Sequence, residues 1–143
     1  MATKKKKSET VTENLLRNFY GATTFVEKSA ISDGYGFSSK KGTDYAGYPD
    51  FFLEEEDYCI VVEAKAIDHK AAQEEALFYA INNKIHKDII GIAVSGQKSD
   101  SLRVSYYLKL CKQAEVKTFP QADIFLTRSE IKKAPARLPC GRF

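Results

Sequence analysis

The chain has 143 residues, 43% of them hydrophobic, which leaves room for one domain with a real core. Its formal charge of +3 is unevenly spread: Lys4 to Lys7 give +4 and residues 128–143 another +4, while residues 8–127, with 13 basic and 18 acidic residues, stand at −5. The body is therefore not a basic nucleic-acid coat, and a cation-binding centre within it is compatible with the excess of acid. There is no run of 18 apolar residues and no apolar stretch behind the N-terminal lysines, so no membrane span or signal peptide is expected, and the expected location is cytoplasmic. Cys59, Cys111 and Cys140 lack metal-ligand spacing and read as ordinary reduced thiols.

Residues 1–8 read as a disordered basic tail, residues 9–133 as the folded domain and residues 134–143, with Pro135, Pro139 and Gly141, as a linker or terminal tail. Thr10-Val11-Thr12-Glu13 has the form of a capping box and predicts a helix starting there, with Val11, Leu15, Leu16 and Phe19 at helical spacing up to Gly21. Residues 22–31 have room for a short strand, and Asp33 to Gly47 reads as an exposed loop. Two β-type runs follow, Pro49 to Leu53 and Tyr58 to Ala66, around the acidic turn Glu54 to Asp57. Ala71 to Asn83 predicts a second helix, and Ile89 to Val94, apolar on both faces, a strand buried within a sheet. A third helix is expected over Ser101 to Ala114 and a last strand over Ala122 to Thr127.

The chemistry concentrates on the hairpin. If Glu56 and Asp57 form a two-residue turn, position n faces position 113 − n, and Asp50 stands across from Glu63. Opposed β-carbons lie about 4.5 to 5.5 Å apart, so both carboxylates reach one small cation. Lys65, two residues past Glu63, turns to the same face, while Ala64 points away. On an ordinary surface hairpin these would be solvated charges. Here Glu63 and Lys65 close the apolar run Cys59-Ile60-Val61-Val62, where a charge is costly unless it has a task. Two carboxylates and a backbone carbonyl suit Mg²⁺, with Mn²⁺ as a substitute, and the lysine suits orientation of water or stabilisation of charge in phosphodiester hydrolysis.

Pro49-Asp50, twelve intervening residues and Glu63-Ala64-Lys65 resemble the PD-(D/E)xK nuclease signature, and the order of elements is similar to that superfamily's αβββαβ core. More narrowly, Lys40 to Asp50 followed by Val61 to Lys65 looks like the N-terminal nuclease domains of type I restriction subunits and fused restriction-methylation enzymes. The resemblance, over about residues 9–96, implies an α/β domain with a restriction-endonuclease-like core, a mixed central sheet flanked by helices. It implies a Mg²⁺-dependent endodeoxyribonuclease acting on DNA, with Asp50, Glu63 and Lys65 catalytic and Asp50, Glu63 and the Ala64 carbonyl as metal ligands. Glu13 on the first helix is a further candidate ligand, although helix capping would also account for it. The family's glutamine and tyrosine, four residues apart, fall here on Glu75 and Tyr79, with the glutamine displaced to Gln73. Gln73 and Tyr79 are thus candidate DNA contacts, although Tyr79 also suits a core. No helicase or methyltransferase motif is present, so site recognition, methylation or translocation is expected from further domains or subunits.

Gly91 to Ser99 nearly spells a phosphate-binding loop, but Gln97 separates Gly96 from Lys98 and breaks it. Lys98, Lys40 and Lys41 remain candidate phosphate contacts. His69 and His86 have no partner at ligand spacing and read as surface residues. Two other readings stand beside restriction-type cleavage: a stand-alone, dimeric, junction resolvase-like nuclease, and a nuclease-like module that binds DNA or protein without cutting.

Overall fold

The computed structural model describes residues 2–32, 34–37, 47–111 and 113–131, with side chains from residue 9 onward. Lys40, Lys41, Cys140 and the expected tail 134–143 lie outside the described residues. The chain is an α/β domain built on one six-stranded mixed sheet. Among the described residues its two long helices are α1 (Ala2–Tyr20) and α2 (His69–Ile81), and its strands are β1 (Val26–Glu27), β2 (Phe51–Glu54), β3 (Tyr58–Lys65), β4 (Asp88–Ser95), β5 (Arg103–Lys109) and β6 (Val116–Thr118). Strands neighbour one another in chain order. Only β3 and β4 run parallel, and α2 is the crossover that such a pair requires.

The sheet separates two apolar layers by the period of two. Ile60, Val62 and Ala64 of β3 face Leu16 of α1 with Phe51, Ile92, Val104 and Leu108. Cys59 and Val61 face the other way, onto Tyr79 and Ala80 of α2 with Phe52 and Ile89. Helix α2 crosses β4 at Gly91, where a β-carbon would make ordinary contact, 3.4 Å from the Ala76 carbonyl oxygen and 3.5 Å from the Ala80 β-carbon. No helix among the described residues is long and apolar enough to cross a membrane.

Three expectations need correction. Helix α1 begins at Ala2, so Thr10 and Glu13 lie in its interior and Glu13 caps nothing. The described residues of 101–114 form no α-helix: β5 occupies Arg103–Lys109, and its alternating Val104, Tyr106 and Leu108 pack into the α1-side core. The last strand is β6 at Val116–Thr118, while the expected strand from Ala122 contributes a single bridge, Val104 to Ala122.

Candidate functional site

The β2–β3 hairpin has the register that the turn predicts. Phe51 faces Val62, Phe52 faces Val61, Leu53 faces Ile60 and Glu54 faces Cys59, each pair summing to 113. The Glu55 amide donates to the Tyr58 carbonyl at 2.8 Å, closing a turn around Glu56 and Asp57. No described non-glycine residue has a positive φ, so this turn forms without the left-handed residues that the tightest hairpins favour. One step further along the ladder, the Asp50 amide donates to Glu63 Oε2 at 2.6 Å and the Ala64 amide donates to Asp50 Oδ2 at 2.9 Å. The two carboxylates are thus fixed side by side, each by the other strand's backbone.

Around them stands a ring of charge. Lys65, on the face that packs against α2, pairs with Glu75 at 3.0 Å. Glu75 also faces Glu63, and a hydrogen bond between the two forms when one carboxyl holds a proton, which favours the protonated form of Glu63. Lys28 reaches Asp50 Oδ1 at 3.3 Å from beyond β1. Burial pushes Glu63 well above the usual carboxylate range, with the Asp50 charge and the Glu75 contact adding to it. Glu13 is also raised, by burial first and then by Asp50, against the pull of Arg17, which holds it at 3.3 Å and grips Glu27 with two bonds at 2.6 and 2.7 Å. Burial draws the Lys65 ammonium down, but Glu75, Glu9 and Glu63 outweigh it and keep it charged. The acids crowd one another, and the resident cations only partly answer them.

A neutral clamp fixes the strand ends that carry this centre. Thr12, fully buried on α1, donates to the Gly96 carbonyl at 2.6 Å and accepts from Gln97 at 2.9 Å, and the Gly96 amide donates to the Ala66 carbonyl at 3.1 Å. Gln97, which breaks the phosphate-loop spacing, therefore ties α1 to the ends of β3 and β4. Gly96 has φ +120°, and a β-carbon there would stand 2.6 Å from the Ser101 carbonyl oxygen, so only glycine fits.

The remaining candidates divide. Tyr79 is 7% exposed, edge-on to Phe37 and Phe78, and its hydroxyl is pushed up to about 12 by burial, then by Glu63, Glu75 and Asp50, so it belongs to the core beside the acids. Gln73 turns away from them and donates to Ser105 on β5 at 2.9 Å. Lys98 is exposed just past the end of β4, and its amide meets the Ser101 hydroxyl at 3.3 Å. His69, expected on the surface, is buried: its Nδ1 lies 2.8 Å from Ser95 Oγ and its Nε2 2.8 Å from Ser105 Oγ. Lys28 and the tie from Glu75 to Lys65 were not foreseen. An acid on α2 facing the β3 lysine was the signal available for the second, and Lys28 had none, because β1 had no readable register.

Magnesium binds through one or two carboxylates and keeps several waters. Asp50 and Glu63, adjacent and oriented by backbone amides, fit that donor chemistry. Among the described residues no set of three or more His, Cys, Asp and Glu side chains is arranged to hold a metal ion, so waters and a carbonyl such as that of Ala64 would complete the shell. No family model matches the chain, and neither curated proteins nor solved structures show a match to it.

Proposed function

We propose that the chain is a Mg²⁺-dependent endodeoxyribonuclease domain, with Mn²⁺ able to substitute, that hydrolyses DNA phosphodiesters as the cleavage module of a larger restriction-type enzyme. The observation that carries this reading is the opposition of Asp50 and Glu63 across the hairpin, locked by amide bonds of 2.6 and 2.9 Å, with Lys65 on the same face. The order α1-β1-β2-β3-α2-β4 supports it, being that of an αβββαβ restriction-endonuclease-like core. So does Glu13, whose position inside α1 and proximity to Asp50 replace the capping role with that of an outer acidic contact.

In this reading Asp50, Glu63 and the Ala64 carbonyl would hold the ion. When bound, the ion neutralises charge on the phosphate and acidifies a water for attack. Lys65 orients that water or stabilises the charge that develops on the phosphate, and Glu75 aims its ammonium. Lys98, Lys40 and Lys41 would contact flanking phosphates. Gln73, committed to Ser105, and Tyr79, buried, act through packing.

Asp50→Ala and Lys65→Ala should each lower Mn²⁺-supported cleavage of plasmid DNA by about 10²-fold or more while circular dichroism stays that of wild type. Full activity in either variant contradicts the assignment. The resident pairs of Lys65 with Glu75 and Lys28 with Asp50 favour a second reading, a nuclease-like module that binds without cutting. Absence of Mn²⁺ binding to wild type by calorimetry would select it.

A further inference from the structure

We infer that Lys28 is an exchangeable counter-cation of the acidic centre, which holds Asp50 while no divalent ion is bound, yields that oxygen to the ion and then turns its ammonium to a DNA phosphate. The inference rests on the nuclease reading and adds a residue to it.

The geometry separates a fixed main chain from a free head group. The Lys28 amide donates to the Asp50 carbonyl at 3.0 Å, and the preceding residue, Glu27, pairs with Phe51, so the backbone is fastened to β2. The side chain is 57% exposed, and its Nζ stands 3.3 Å from Asp50 Oδ1, beyond the 2.7–2.9 Å typical of a close charge-assisted bond. Lys65 is the more enclosed and the closer held: it is 23% exposed and 3.0 Å from a Glu75 that is itself 13% exposed. One lysine is built in, and the other rests at the mouth.

The contested oxygen is identifiable. Asp50 Oδ2 already accepts from the Ala64 amide, while Oδ1 is the atom against which Lys28 rests, so an ion that draws on Oδ1 meets the ammonium there. An ammonium and a divalent ion on one oxygen would repel strongly at that distance in a partly buried site, so occupancy by one disfavours the other. The charges that act on Lys28 are those of Asp50, Glu63 and Glu75, and they keep it protonated despite its partial burial. Once the ion has taken Oδ1, the ammonium loses its nearest anion at the place where a substrate phosphate would arrive. A lysine head is a compact charge on a flexible stem, suited to that move.

The test compares wild type, Lys28→Met and Lys28→Arg, with folding checked by circular dichroism. Calorimetric titration with Mn²⁺ should show several-fold tighter binding to Lys28→Met than to wild type. Binding of a short DNA duplex in Ca²⁺, measured against salt, should weaken in Lys28→Met, with a log–log slope shallower by about one, and recover in Lys28→Arg. Equal or weaker Mn²⁺ binding by Lys28→Met, or an unchanged salt slope, overturns the inference while the nuclease reading stands. If wild type binds no Mn²⁺, the nuclease reading fails and the Lys28 inference falls with it.

Discussion

Two polar clusters flank α2, and they are opposite in kind. At one, His69 lies between Ser95 and Ser105 at 2.8 Å each, and Gln73 adds a bond of 2.9 Å to Ser105. All are neutral, and each finds its partner within the cluster. At the other, Asp50 has Glu63 and Glu13 as acidic neighbours and Glu75 stands beside Glu63; burial and then the Asp50 charge raise both Glu63 and Glu13, Glu63 the more strongly, and a half-exposed lysine rests against Asp50. A satisfied cluster fastens a helix to a sheet and asks for nothing more. A cluster with surplus like charge is costly in the absence of a ligand, and that surplus is what a divalent ion would relieve.

The contrast can be broken by substitution. The largest expected effect on stability is at the neutral cluster: His69→Ala removes two buried hydrogen bonds and leaves a void, and should cost about 2–4 kcal/mol in denaturant unfolding, with Mn²⁺ binding by the surviving folded protein unchanged. Loss of Mn²⁺ binding there would join the two clusters into one. Smaller and of opposite sign, Glu63→Gln removes the cost of keeping a buried, crowded carboxyl at neutral pH and should raise metal-free stability near pH 7 by roughly 1 kcal/mol, a few degrees in melting temperature. Added Mn²⁺ should then stabilise wild type and not the variant. A destabilised metal-free Glu63→Gln would show that the acids are not in surplus.

The smallest effect is one of pH. Burial, with Arg103 nearby, holds His69 below its ordinary value near 6.5, so the folded state favours the neutral ring. Its contribution is fully present above that value and is lost as pH falls from about 6.5 through the lowered folded-state value. Thermal melts between pH 8 and pH 5 should show this loss in wild type and a flatter profile in His69→Gln. Equal slopes would place the titrating group elsewhere.

What the sequence disclosed and what it hid follow from distance along the chain. The hairpin register was legible because an acidic turn separates two apolar runs, and the side-chain period of two leaves little freedom once the turn is set. Strand β5 was equally legible in principle: Leu102, Val104, Tyr106, Leu108 and Leu110 alternate, and that period of two argues for a strand over the expected helix. The capping reading of Thr10 to Glu13 failed because the pattern was read without the helical residues ahead of it. His69 could not be placed from local pattern, since its partners lie 26 and 36 residues away on β4 and β5. The same holds for Lys28, whose role depends on where β1 meets β2.

The central claim concerns one place, the oxygens of Asp50 and Glu63. A crystal structure grown with Mn²⁺ and phased for its anomalous signal tests that place directly. The account predicts a peak about 2.0–2.3 Å from an oxygen of each carboxylate, with the Lys65 ammonium facing the bound waters. Well-ordered Asp50 and Glu63 with no ion between them at saturating Mn²⁺ would contradict it.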